Sequence, residues 1–351
     1  MIRGALTALV VGLAGAFGAQ ALEPPQTHLY DTMFGPWPAP PSLSDLDWLA
    51  TKPDPVALIT RPRARDVPRN VSALVELGRL AFRYPGTLGG YAARHNLSCN
   101  VCHTGGQAQT SFLFEPYSRK AGTIDITNAL FNPAGEDNKN NAVKIPDLRK
   151  ARAPYGTVVP MDDLNLYISR HTQIAFGGSF AHPLITEALS AYVHALKLKP
   201  SKGSELADSA ARKAGRPEQM IRIAFDDVDR AMGVIEAAID AEDARLTRFA
   251  VDATRSELGR VHERLDPRDP ARETLKVLSQ QLRELGLAVA RDNNRAARGF
   301  ADLVREQLVT VRDEILSRAD LTFYSEDHLR AALDPASQPV PSPEKKAGQD
   351  Q

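Results

Sequence analysis

The second half of the chain carries a long amphipathic pattern that constrains the fold more than any other feature. Between Pro217 and Leu265 there is almost no glycine or proline, and apolar residues recur at alternating steps of four and three. This spacing places them along one side of a helix. The apolar positions of this first run are Ile221, Phe225, Val228, Met232, Ile235, Ile239, Leu246 and Phe249.

A second run of the same kind follows the breaker DPRDP at 266–270. Each run is long enough for a helix of about 45 residues, or roughly 65–70 Å. The short breaker favours an antiparallel hairpin over 217–335, and the chain as a whole is predicted to be all-α. The apolar positions of the second run are Leu275, Leu278, Leu282, Leu285, Val289, Phe300, Leu303, Leu308, Val311 and Ile315.

Some apolar residues of the two runs lie off the main stripe and indicate a second packing surface. This surface rests either on the first half of the same chain, on a second hairpin in a homo-oligomer, or on a partner's helices that complete a bundle. We expect association through 217–318. The off-stripe residues are Val234, Val251, Val277, Leu287 and Val304.

The two ends of the chain are predicted to lie outside any folded domain. Residues 1–21 have a basic start, an apolar run and an Ala-Gln-Ala cleavage site, the layout of a secretory signal peptide, so we expect export to the periplasm. Residues 22–70 are proline-rich and predict an extended arm. Residues 336–351 predict a disordered tail. The formal net charge is zero, and nothing indicates nucleic-acid binding or a membrane span in the mature chain.

The segment 71–200 is predicted to form a domain of its own, joined to the helical half by a linker at 201–216. Apolar periodicity predicts helices over 71–84, 162–170 and 184–197. The stretch 105–160 between the first two is rich in loops.

Both cysteines of the chain lie in the stretch NLSCNVCHTGG at 96–106, and His103 follows Cys102 directly. Four interpretations fit these residues. A disulfide closing so small a loop would stabilise little. A thioredoxin-like redox pair needs a strand-to-helix context, and a structural zinc site needs a second cluster of ligands. Covalent haem attachment is the fourth, and C-x-x-C-H is its signature.

Haem attachment is the interpretation that uses all three side chains. Two thiols three residues apart on one helical turn reach the two vinyl groups of one porphyrin, and the adjacent imidazole then becomes the proximal iron ligand. The predicted signal peptide agrees with this, since c-type haem is attached outside the bacterial cytoplasm. The sequence therefore predicts one haem c, bound by Cys99, Cys102 and His103.

Two segments resemble the bacterial di-haem cytochrome c peroxidase and MauG group. LGRLAF at 77–82 followed by SCNVCH at 98–103 resembles the opening of its haem domain, and KIPDLRKARAPYG at 144–156 resembles its K-x-P-x-L-R-N…APYFHDG segment. The resemblance covers about residues 73–200 and implies a cytochrome c-like haem domain. The chain departs from the group in having one haem motif instead of two, and TVVPM where a His-Asp pair is expected.

The sixth iron ligand has three candidates. In LNLYISRH at 164–171, the resemblance implies that His171 stands where the group's helix delivers a ligand methionine. Met161 follows a proline, as ligand methionines often do in small cytochromes c, and is the alternative. An open or water-bound position is the third possibility.

Three other residues are candidates for contacts with the haem. Arg149 and Lys144 are placed to hydrogen-bond the propionates, or else are solvated loop charges. The resemblance implies that Tyr155 packs on the porphyrin edge.

The function favoured by these observations is one-electron transfer in the periplasm with a redox partner protein. One alternative is a peroxidase-like or MauG-like enzyme, which uses an open position on the iron. Another is an assembly or sensor component whose haem is regulatory.

Overall fold

The computed structural model of the chain describes residues 72–149 apart from 107, 111 and 116, residues 161–196 apart from 179 and 181, and residues 216–333. These parts are mostly helical, with two short strands, which confirms the all-α prediction. The helices are α1 (Ala73–Arg83), α2 (Gly90–Arg94), α3 (Cys99–Cys102), α4 (Met161–Phe176), α5 (Leu184–Ala195), α6 (Pro217–Asp240), α7 (Ala244–Glu263), α8 (Ala271–Ala290), α9 (Asn294–Leu316) and α10 (Glu326–Leu333). The strands are β1 (Thr123–Ile124) and β2 (Val143–Lys144), which pair antiparallel.

Several predictions fall on parts of the chain outside the described residues. They are the signal peptide at 1–21, the arm at 22–70, the linker at 201–216 apart from its last residue, the tail at 336–351, and Tyr155. Within the described residues, no helix is long and apolar enough to cross a membrane.

Helices α1 and α5 cross at very short range in the first half of the chain. A Cβ atom built on Gly78 of α1 would lie 1.9 Å from the backbone oxygen of Ala188 in α5. The ring of Phe82 packs at 5.0 Å, centroid to centroid, on the ring of Tyr192. Only glycine permits this approach of the two backbones.

We expect Gly78→Ala to lower the free energy of unfolding by about 1–3 kcal/mol, because a methyl group has no space at the crossing. Gly299→Ala is the matched control, since Gly299 also lies inside a helix and no atom lies within 4 Å of its built Cβ. This control is expected to be stabilising by about 0.5–1 kcal/mol through helix propensity. Urea unfolding followed by circular dichroism measures both. Equal effects of the two substitutions would contradict the close crossing.

The two apolar runs of the second half form four helices, α6 to α9, instead of the predicted two. The first run breaks after α6 and the second after α8, so the expectation of two helices of about 45 residues is wrong. At the first break Glu242 has φ of 54°, and Asp243 accepts a hydrogen bond from the Leu246 amide at 2.9 Å and caps α7. A left-handed residue followed by a capping carboxylate ends one helix and starts another.

The second break has the same backbone geometry as the first and lies fifty positions later in the chain. Asp292 has φ of 56°, and the Asn293 side chain accepts from the Ala296 amide at 3.1 Å. The backbone bonds also match, because Asp243 N donates to Ala238 O at 3.0 Å as Asn293 N donates to Ala288 O at 2.9 Å. The α6–α7 and α8–α9 connections are therefore turns of the same type.

The four helices close into a bundle around one apolar core. Helix α6 packs on α7 and α9, and α8 packs on α7 and α9. After α9 the chain returns to the α7–α8 connection, where Phe323 N donates to Arg264 O at 2.7 Å.

The bundle buries most of the off-stripe apolar residues that predicted association. Val234, Val251 and Val304 are buried within this chain, and Leu287 is partly buried. Val277 is about half exposed, at 52 %. Neighbouring helices of the same chain thus supply the second surface for three of the five positions. Association with a second copy or a helical partner stays a prediction. Fewer exposed apolar positions now support it, because three of the five are buried within this chain.

The apolar core of the bundle continues into the first half of the chain. One cluster of buried residues includes Leu80 of α1 and Tyr192 of α5 together with Ile221 and Val228 of α6.

A group of part-buried ion pairs lies beside this core and joins α1, α6 and α7. Its members are Glu76, Arg79, Arg83, Asp227, Arg230, Glu257 and Arg260.

Candidate functional site

The two cysteines open and close the single-turn helix α3. Both are partly buried and not joined in a disulfide. They contact a second apolar cluster, here called the loop core, made of Leu88, Ala92, Leu97, Phe112, Ile124, Phe131 and Ile145. Burial raises the pKa of each thiol to about 12, whereas the reactive thiols of disulfide oxidoreductases have lowered pKa values.

The imidazole of His103 is half-buried and oriented by one hydrogen bond. Its Nδ1 lies 3.0 Å from the carbonyl oxygen of Pro146. A carbonyl only accepts, so Nδ1 carries the proton and Nε2 keeps a free lone pair. Burial is the largest influence on this histidine and lowers its pKa to about 4. The neutral ring, with one nitrogen fixed by a backbone carbonyl, is the form in which histidine binds metals.

The segment that carries Pro146 is fastened to the rest of the site by backbone hydrogen bonds. Leu148 N donates to Gly106 O at 2.9 Å, and Ile145 N donates to Gly122 O at 3.0 Å. Gly106 has φ of 77°, and a Cβ built on it would lie 2.4 Å from Cδ1 of Leu196. These contacts hold the loop after α3 against the loop that orients His103.

His171 interacts electrostatically with His103 although 68 positions separate them. The charge of a protonated His171 lowers the pKa of His103, so the two rings are within electrostatic range of each other. His171 itself is half-buried on α4, and burial lowers its pKa. The structure therefore brings together His103 and the histidine that the sequence proposed as the opposite ligand.

An apolar cleft of about 370 Å³ opens beside His171, within the size range of ligand pockets. Three large apolar side chains along it are exposed: Leu166 and Tyr167 at 49 % and Ile174 at 70 %. A cluster of exposed apolar side chains on one helix face is more informative than single ones, because it indicates a surface that something covers. The lining residues are Leu166, Tyr167, Arg170, His171, Ile174 and Ala175.

The donor set of this site fits a covalently attached haem. Cys99 and Cys102 are free thiols on one turn, and His103 presents a lone pair on Nε2. A second neutral imidazole lies nearby, and the adjoining surface of α4 is apolar. A covalently attached c-type haem requires two thiols, an iron ligand such as imidazole, and an apolar surround, and these residues provide each of them.

Met161, the alternative ligand, is the first residue of α4. His171 lies ten residues further along the same helix, so the two backbone positions are roughly 15 Å apart along the axis. Met161 therefore begins the helix well away from the end that carries His171.

The predicted propionate-binding residues have other contacts in the structure. Arg149 forms a two-point ion pair with Asp147, with Nη2 at 2.7 Å and Nε at 2.9 Å from the two carboxylate oxygens. Lys144 is exposed on β2. Arg149 lies three residues after Pro146, close in sequence to the group that orients His103. A propionate contact stays a prediction for both residues.

Three contacts of the site were not predicted from the sequence. Pro146 orients His103, and the rings of Tyr167 and Phe176 pack on His171. Tyr167 precedes His171 by one helical turn, and this four-residue spacing is the sequence feature from which their contact could have been predicted. Within the described parts of the chain, no three His, Cys, Asp or Glu side chains are grouped as ligands of a metal ion.

Comparison with known proteins gives no relative from which a role could be transferred. No family model matches the chain, and neither a curated protein nor a solved structure matches it.

Proposed function

We propose that this chain is an exported c-type cytochrome with one haem, which transfers single electrons to or from a redox partner protein in the periplasm. Cys99 and Cys102 would form the two thioether bonds, and His103 and His171 would both bind the iron. The observation that carries the proposal is the arrangement at α3, where two thiols on one turn are followed directly by a half-buried imidazole whose Nδ1 is held by the Pro146 carbonyl.

The cofactor would supply the one-electron chemistry, and the chain would set its potential and its access to water. The Pro146 carbonyl holds His103 in the tautomer that leaves Nε2 free. With the cofactor in place, the apolar side chains of α4 that line the cleft would keep water from one side of the site. Two histidine ligands would leave the iron without an open position, which favours an electron carrier over an enzyme that needs one.

His171 is preferred to Met161 as the second ligand because of its surroundings. It is half-buried, interacts with His103 and lines the cleft, whereas Met161 begins the same helix roughly 15 Å away. Histidine in place of methionine is expected to give a lower reduction potential, since methionine ligation raises it.

We expect His171→Ala to convert the ferric haem from low-spin to high-spin or water-bound, because one of two nitrogen ligands is removed. Met161→Ala is expected to leave the spectrum nearly unchanged. Optical and EPR spectra of the oxidised and reduced holoprotein measure the spin state directly.

His194→Ala is the control for this experiment, since His194 is an exposed histidine on α5. It is expected to retain the spectrum of the unchanged protein. A methionine–iron charge-transfer band that disappears in Met161→Ala would reverse the ligand assignment. A high-spin ferrous form with fast peroxide reduction in the unchanged protein would favour the peroxidase-like alternative.

A further inference from the structure

Two aromatic rings enclose the imidazole of His171. Tyr167, one helical turn earlier on α4, stacks on it with centroids 5.6 Å apart and an interplanar angle of 11°. Phe176, at the end of α4, meets it edge to face at 5.3 Å and 86°. Stacked and edge-to-face pairs are the two favourable aromatic geometries.

Phe176 is itself held by the loop core. Its ring meets that of Phe131 at 5.7 Å and 66°, and Phe131 is buried. The neighbouring Asn132 donates from Nδ2 to the backbone oxygen of Ile174 at 2.9 Å, which fixes the last turn of α4. The edge-on contact to His171 thus comes from a ring with a defined position.

Tyr167 provides the other contact from an exposed position. Its ring is 49 % exposed, so it covers a face of the imidazole that would otherwise meet water. The last torsion of a histidine side chain is broad, and the ring turns easily unless its neighbours restrict it. The parallel ring of Tyr167 and the edge-on ring of Phe176 together leave the His171 imidazole one preferred plane.

We propose that Tyr167 and Phe176 are positioning residues that fix the plane of the His171 ring and slow its release from the iron. This inference rests on the proposed function. The hydrogen bond to Pro146 restrains His103, the other proposed ligand, in the same way. A ligand already held in its bound orientation loses less freedom on binding, and so it binds more strongly and dissociates more slowly.

The test compares variants of the intact holoprotein by the rate at which cyanide replaces the distal ligand of the ferric haem. This rate depends on how often His171 dissociates from the iron. Tyr167→Leu removes the stacked ring and retains an apolar side chain that favours a helix. We expect replacement to become roughly three- to tenfold faster, from the strength of one aromatic pair.

Two variants serve as controls. Tyr167→Phe keeps the ring and is expected to behave as the unchanged protein. Gln173→Ala alters an exposed side chain of the same helix that does not line the cleft, and it is also expected to have no effect. Phe176→Leu gives a second measurement from the opposite side of the imidazole, with an increase in rate of similar size.

EPR of the ferric protein supplies a readout independent of rate, because the g values of a low-spin haem depend on the planes of its two ligands. Altered g values in Tyr167→Leu but not in Tyr167→Phe support the proposal. A low-spin protein in which neither rate nor g values change in Tyr167→Leu would overturn the positioning role and leave the proposed function intact. An unchanged protein that lacks covalent haem or is high-spin would overturn both.

Discussion

Replacement of both cysteines, in Cys99→Ala/Cys102→Ala, is expected to yield a chain without covalently bound haem. The two thiols are the only ones in the sequence, so no other side chain offers a thioether bond. In the unchanged protein we expect the haem to stay with the chain through denaturation and acid–acetone extraction. Haem staining after denaturing electrophoresis measures the loss, which should be complete.

Ser98→Ala provides the control for this pair, since it changes the residue before α3 and leaves both thiols in place. The fold of the thiol-free chain can be followed separately by circular dichroism. Most of the helix lies in α6–α9, whose core is distinct from the loop core around α3. We therefore expect most of the helical signal to persist. Extraction of the colour from the unchanged protein would show that haem is not covalently attached.

The apolar stripe of the second half could be predicted from the sequence because its period directly reports a helix face. Of the predicted positions, Ile221, Val228, Leu275 and Val311 are fully buried. Leu303, in contrast, is 38 % exposed. The breaks at Glu242 and Asp292 could not be predicted in the same way. Acidic residues are common on solvated helix faces, and only the left-handed backbone and the following cap mark them as turns.

The candidate site was predictable where its residues are adjacent in sequence. Cys99, Cys102 and His103 form one contiguous motif, and the resemblance drew attention to His171. The hydrogen bond from His103 to Pro146 spans 43 positions and depends on how two loops meet. Tyr167 and Phe176 belong to the pattern of an ordinary amphipathic helix, so their contacts with His171 become visible only in three dimensions.

The ion pairs between the two halves of the chain are a second feature that only the structure shows. Asp227 of α6 is the central carboxylate. Its Oδ1 lies 2.9 Å from Nη1 of Arg79, and its Oδ2 lies 2.7 Å from Nη1 of Arg83. Arg83 continues to Glu257 of α7 at 2.8 Å. Burial acts to raise the pKa of Glu257, but Arg83 and the other arginines outweigh it, and its pKa is lowered.

We expect Asp227→Asn to reduce the free energy of unfolding by about 1.5–3 kcal/mol, because Arg79 and Arg83 lose the carboxylate that they share, although Glu76 and Glu257 remain as partners. The side chain of Arg79 is 1 % exposed and cannot turn to water for compensation without leaving the core. Such a loss is a large part of the stability of a typical domain. Urea unfolding of the intact chain, followed by circular dichroism, measures it.

Asp240→Asn is the matched control on the same helix. Asp240 pairs with Arg298 at 2.6 Å, but the two side chains are 62 % and 57 % exposed. Water screens such a pair, so its removal is expected to cost less than about 1 kcal/mol. The two variants remove the same charge from the same helix and differ in burial. A large loss in Asp227→Asn alone therefore supports buried charge pairing between α1 and α6. Equal small losses in both would mean that apolar packing alone joins the first half of the chain to the bundle.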